Sequence, residues 1–273
     1  MSIYLGNQKV SPLTVVEKEK ENKLAKFIDG SLTEISAEDL TGTTKIANYA
    51  FYKNGSVKSI TIPNNVTSIG QEAFRYSRIA YVIIQSGLTV ISNYAFQECS
   101  YLKNIQLPNS LTNIGNYAFA MCTSLESIEL PNSLISINGS AFQGCTKIKN
   151  IVIPNKITSI EASTFLGCSS LTSIVIQGSV TSIGYAAFRS CTSLTNITIP
   201  DSVTSIDANA LSIGSSTSKA TITFTRATPP QITSSTFDST KLEKIIVPAG
   251  CGDTYKAATN WSAFADYIEE ATE

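Results

Sequence analysis

The chain is predicted to fold as a repeat solenoid: a β-rich, right-handed coil of about ten 23-residue units with short strands and 3-10 or helical turns, capped at both ends. Three periodic residue types predict it. Cysteine stands at 99, 122, 145, 168 and 191, each 23 residues after the last. Phenylalanine stands at 51, 74, 96, 119, 142, 165 and 188, with one step of 22 between Phe74 and Phe96 and every other step 23. Proline at 108, 131, 154 and 200 keeps the same register, with Gln177 in the vacant slot.

One unit runs Leu125-Glu-Ser-Ile128-Glu-Leu130-Pro131-Asn-Ser-Leu134-Ile-Ser-Ile137-Asn-Gly-Ser-Ala141-Phe142-Gln-Gly-Cys145. Leu125, Ile128 and Leu130 have the spacing of a short strand whose last two apolar side chains share a face. Pro131 stops that strand, because it has no N–H for a continuing ladder. Asn132-Ser133 turns the chain, and Leu134 with Ile137 offers a second extended segment. Asn138-Gly139 turns it again, and Ala141 to Cys145 reads as one helical or 3-10 turn. A single such unit cannot bury its apolar face, whereas stacked units bury a continuous column of Leu, Ile, Phe and Cys.

The strand column recurs at Val57, Ile79, Leu102, Leu125, Ile148, Leu171 and Leu194, with degenerate copies at Leu32-Thr-Glu-Ile35, Thr221-Ile-Thr-Phe224 and Leu242 to Pro248. Residues 1–31, which include the charged stretch from Val16 to Lys23, form an N-terminal cap or arm on this reading. Residues 32–248 form the solenoid. Residues 249–273 form a helical C-terminal cap that closes the core with the only tryptophan, Trp261.

Composition narrows the chemistry. The 273 residues carry 20 Lys+Arg against 21 Asp+Glu, a formal net charge of −1, which argues against a nucleic-acid partner. There is no histidine, so Ser-His-Asp and Cys-His nucleophile systems and His metal sites are excluded. No apolar run reaches the 18 or so residues of a membrane helix. The opening Met1 to Ser11 lacks the basic and apolar regions of a secretory signal.

The recurring L-x-x-I-x-I/L-P-x-S-L/V-T-S-I-G-x-x-A-F-x-x-C unit resembles the leucine-rich repeat of the BspA-like bacterial surface proteins, also called the Treponema-type leucine-rich repeat. The likeness spans about residues 32–248. The tail Val247-Pro-Ala-Gly, Tyr255-Lys-Ala-Ala and Asn260-Trp261-Ser-Ala-Phe resembles the terminal segment of many gut-bacterial members. The resemblance implies a curved solenoid without enzymatic activity or cofactor, secreted or held at the cell surface. It also implies adhesion to a protein partner, either a host matrix protein or a bacterial surface protein. The opening Tyr4-Leu-Gly-Asn-Gln-Lys-Val is similar to the starts of some prophage-encoded structural proteins. That makes a structural spacer of a prophage or surface assembly the alternative.

The five in-line cysteines point the same way along the stack, so they are expected to be reduced core residues, and Cys251 is the more exposed thiol. Carboxylate pairs such as Glu126/Glu129, Glu34/Glu38 and Asp201/Asp207 imply no convergent pocket and read as solvated surface. Two columns face solvent on the strand sheet. One holds Ser59, Tyr81, Asn104, Ser127, Asn150, Ser173, Asn196 and Lys244; the other Thr61, Ile83, Gln106, Glu129, Val152, Val175, Thr198 and Ile246. The coil with the 22-residue step breaks the pattern: Ser77 replaces cysteine, and two Arg and two Tyr gather in a chain poor in charge. Arg75, Tyr76, Arg78, Tyr81 and Ile83 are therefore the candidate protein-binding patch, since Arg and Tyr add large contact area and directional donors at interfaces.

Overall fold

The computed structural model describes residues 31–272 and, nearer the N-terminus, an antiparallel pairing of Tyr4–Leu5 with Gln8–Lys9. Apart from Ser31 and those two strands, the N-terminal cap or arm expected over 1–31 lies outside the described residues. The rest is a parallel β-solenoid of about ten turns, as the period predicts.

Two strand ladders run along it. The first joins Glu34–Ile35, Ser59–Ile62, Tyr81–Ile84 and Asn104–Gln106, then Asn150–Ile153 with Ser173–Ile176, then Asn196–Ile199, Ala220–Phe224, Leu242–Val247 and Ile268–Glu270. The second joins Lys45–Ile46, Ser68–Ile69, Val90–Ile91, Asn113–Ile114 and Ser136–Ile137, then Ser159–Ile160, Ser182–Ile183 and Ser205–Ile206. In the regular strands alternation sends Ile inward and Ser, Asn, Thr or Val outward, whereas Tyr81–Ile84 turns Val82 and Ile84 inward and Tyr81 and Ile83 outward. The two solvent columns are aligned as expected, with Ser59 opposite Tyr81 and Asn104, and Thr61 opposite Ile83 and Gln106. Thr221 and Thr223 also belong to them, between Asn196 and Lys244 and between Thr198 and Ile246.

Leu125 to Leu130 departs from the expectation. Leu125 and Ile128 are buried, so the chain keeps the coil path, yet no strand forms there. The gap coincides with Leu107 and Leu130, which are only partly buried where other coils place the buried β-branched Ile62, Ile84, Ile153, Ile176 and Ile199.

The third side also differs. The expected helical turn from Ala141 to Cys145 is a run of β-turns with left-handed residues at Ser140 (φ 57) and Gly144 (φ 70). Alternate N–H groups divide their work. Those of Ala141, Gln143 and Cys145 close the turns onto Asn138, Ser140 and Phe142, while those of Ser140, Phe142 and Gly144 donate to Ala162, Thr164 and Leu166 of the next coil. A helix would use all of these donors internally and leave the coils unjoined.

Inside this side the phenylalanines stack in parallel, with centroids 4.8 Å apart from Phe51 to Phe74 and 5.6 Å from Phe142 to Phe165. Beside them each ladder cysteine donates its S–H to the Phe carbonyl of the coil before, from Cys99 to Phe74 (2.9 Å) through Cys191 to Phe165 (3.2 Å). The thiol is thus more than a small apolar filler: it meets the second lone pair of a buried carbonyl already bonded within its own turn. All six cysteines are free; the five in line are buried and Cys251 is partly exposed. Burial pushes the Cys99 and Cys168 thiols up to about 12, and raises Cys122, Cys145 and Cys191 well above the ordinary value. In native protein at pH 8, a thiol reagent such as Ellman's is expected to titrate Cys251 alone, the other five appearing only in denaturant. Two native disulfides within the 99–191 set would overturn the ladder.

The C-terminal segment forms an α-helix at Gly252–Ala257 and a 3-10 helix at Ser262–Tyr267, but it does not end as helix. Ile268–Glu270 adds a parallel strand to Leu242–Val247. The Glu270 carboxylate then accepts the N–H groups of Gly250 (3.0 Å) and Gly252 (2.7 Å), which hold its pKa below the usual value.

Candidate functional site

The shortened coil builds the site. Ser77 occupies the cysteine slot at the usual spacing from Phe74, buried, with its hydroxyl 3.5 Å from the Cys99 sulfur, and the coil is one residue short between Ser77 and Ile79. The flanking side chains face outward, as they do at the matching position of the regular coil at Met121. Arg75 and Tyr76 lie on the turn side, where Tyr76 takes a left-handed backbone (φ 61). Arg78 stands at the corner leading to the strands, its guanidinium 5.6 Å from the Tyr101 ring centroid. Tyr81 and Ile83 sit on the strand face, 50% and 45% exposed. The five predicted residues thus occupy three adjoining regions of one coil, Arg75 and Tyr76 together and Tyr81 with Ile83 apart from them.

Sequence reading missed the turn-side company of Arg75. Tyr49 and Tyr52 meet edge to face, as do Tyr52 and Tyr76, while Tyr94 stacks on Tyr117 at 5.2 Å. Lys53 places its ammonium 5.3 Å from the Tyr52 ring and 5.8 Å from the Tyr76 ring. Arg75 lies 4.8 Å from the Tyr76 ring and donates to Glu72 at 2.8 Å. Glu72 also accepts from Gln71 and Tyr49, both at 3.3 Å. Burial works to raise the Glu72 pKa, but the hydrogen bonds from Arg75 and Gln71 outweigh it, so this carboxylate is held below its usual value and stays ionised. The signal was available in the recurrence of Tyr49, Tyr94 and Tyr117 immediately before an Ala-Phe pair.

Chemically this arrangement presents ring faces and cationic donors to solvent. Its one carboxylate is engaged by three donors, and its cations lie over or beside aromatic rings. Among the described residues no group of three or more Cys, Asp or Glu could hold a metal ion, and no helix is long and apolar enough to cross a membrane.

A parallel solenoid with a Leu/Ile/Phe/Cys core and an outward aromatic–cation cluster defines a leucine-rich repeat scaffold. The chain belongs to the BspA-type leucine-rich repeat family: the model of the BspA type leucine rich repeat region matches residues 25–149 and 136–262. The leucine-rich repeat protein of T. pallidum is similar at 30% identity and a TM-score of 0.52, over 56% of this chain and 72% of that one. A leucine rich cell surface protein from Faecalibacterium prausnitzii is 20% identical, with a TM-score of 0.48 over 81% of this chain and 89% of that one. The pneumococcal vaccine antigen PcpA is 20% identical, with a TM-score of 0.48 over 84% of this chain and 58% of that one. No curated protein matches the chain.

Proposed function

We propose that this protein is a non-enzymatic binding module, surface-held or secreted, that docks a protein partner through the tyrosines and arginines of its early coils. The observation that carries this reading is the exposed cluster around the short coil, where Tyr49, Tyr52, Tyr76, Tyr81 and Tyr101 are all at least 36% exposed. Tyrosine and arginine are the residue types in which interface energy concentrates, and a contiguous exposed aromatic patch marks an interaction surface. The family resemblance supplies the adhesive setting, with a host matrix or bacterial surface protein as the partner.

The test is surface plasmon resonance against purified matrix proteins, comparing the native protein with an Arg75/Arg78/Tyr81→Ala variant matched for thermal melting. Saturable binding that weakens by about 2 kcal/mol, roughly thirtyfold, in the variant is the expected result. Binding that the variant leaves unchanged removes the patch. Absence of binding to any matrix protein or bacterial surface extract leaves the solenoid a spacer.

A further inference from the structure

One edge of the solenoid carries a line of cations that extends from Arg78 of the irregular coil to lysines of regular coils on either side. Lys58, Ala80 and Lys103 form one column at the entry to the strands, since Ala80 N–H donates to the Lys58 carbonyl at 2.7 Å and Lys103 N–H to the Ala80 carbonyl at 2.9 Å. The 23-residue step extends this column to Glu126 and Lys149, and the column beside it holds Arg78, Tyr101 and Lys147. All five cations are exposed, and among the described residues none has a carboxylate within ion-pair distance; the Lys58 ammonium donates to the Gly55 carbonyl of its own loop at 2.6 Å. Glu126 is the one acid within the line. Beyond it the same columns turn neutral, at Ser170, Thr172, Ser193 and Thr195.

We propose that this edge is a docking track for an extended, carboxylate-rich segment of a partner protein. The proposal rests on the protein-binding reading and names the partner's chemistry. Spacing selects the occupant. Lys58, Lys103 and Lys149 stand on alternate coils, so their Cα atoms recur roughly every 9.6 Å at about 4.8 Å per coil, within reach of flexible side chains. A polyproline II segment advances about 9.3 Å in three residues, and therefore presents an acidic side chain at every third position to each lysine in turn. Duplex DNA fits poorly, because each strand's phosphates recur about every 3.4 Å along the helix axis and would meet Glu126 as well. Tyr101, 53% exposed and flanked by Arg78, gives the segment a ring on which proline can pack.

The test uses a fluorescein-labelled (Glu-Pro-Pro)4 peptide and fluorescence anisotropy at low and physiological salt. The native protein is expected to bind it with an affinity that falls as salt rises. A Lys58/Lys103/Lys149→Glu variant is expected to lose about tenfold or more, and (Gln-Pro-Pro)4 not to bind. A Lys45/Lys219/Lys256→Glu variant makes the same change in net charge away from the track and is expected to bind as the native protein does. Equal loss in both variants, or binding of the glutamine peptide, overturns the proposal. Tighter binding of heparin or single-stranded DNA, lost in the same track variant, overturns the assigned occupant. The track variant keeps Arg75, Tyr76 and Tyr81. Failure of the peptide to bind the native protein while matrix-protein binding is intact sinks the track alone, whereas absence of both from the native protein sinks the protein-binding reading.

Discussion

Ending the chain at residue 251 is expected to abolish the folded monomer. The removed residues fill the open end of the core: Tyr255 and Trp261 are fully buried, and Phe264 nearly so, against Phe224 and Phe237. They also tie down the longer, irregular coil before them. Tyr255 donates to the Arg226 carbonyl at 2.6 Å, Trp261 to Pro230 at 2.9 Å, and Asn260 to Ile232 at 2.7 Å. Loss of a single buried aromatic side chain costs about 3–5 kcal/mol, against a total stability of about 5–15 kcal/mol for an ordinary domain. Losing three exceeds that margin. Removing Ile268–Glu270 further bares the edge of Leu242–Val247, whose unpaired backbone invites intermolecular pairing. Size-exclusion chromatography should show aggregate where the native protein gives a monomer-sized peak. A 1–251 chain that elutes there and melts as the parent does would show that the segment is no cap.

The period was legible because each buried position repeats one residue type, so Phe, Cys, Pro and Ile each announce the register independently. The turn chemistry was not. Left-handed residues fall twice per coil, but residues such as Tyr49, Lys53, Glu72, Tyr76, Met121 and Ser140 outnumber glycine there, so no breaker marks them. Inter-coil hydrogen bonds hold these residues in place, and such bonds exist only once the coils are stacked. The strand closing the tail was hidden for a similar reason, because Ile268–Glu270 is extended only by pairing with Leu242–Val247. At the site, the missing residue exposed the short coil in the sequence, and its neighbours Tyr49, Tyr52 and Lys53 went unread because they sit in coils that obey the pattern. The cation line was concealed by its own spacing, since lysine on alternate coils breaks a 23-residue search.

Replacing Phe142 by alanine is expected to split the protein's unfolding into two transitions, where Phe96→Ala lowers it as a unit. Both rings are fully buried, and each deletion costs about 3–5 kcal/mol. Their surroundings differ. Around Phe96 both strand ladders are continuous, so neighbouring coils stay coupled through Tyr81–Ile84 with Asn104–Gln106 and through Val90–Ile91 with Asn113–Ile114. Around Phe142 the first ladder is interrupted between Asn104–Gln106 and Asn150–Ile153, and the second between Ser136–Ile137 and Ser159–Ile160. Beside the continuous apolar core of Leu134, Ile137, Ile157 and Ile160, the halves are joined there by the turn-side hydrogen bonding of Ser140, Phe142 and Gly144, the Phe stack at 5.4 and 5.6 Å, and the thiol bonds of Cys145 and Cys168. In a solenoid, cooperativity is the product of such nearest-neighbour contacts, so deleting the stack where the strands already part uncouples the halves. Urea denaturation followed by hydrogen exchange should show residues before about 137 and after about 159 losing protection at different urea concentrations in Phe142→Ala, and together in Phe96→Ala. A single coincident transition in both variants would mean that the turn side alone does not carry the coupling.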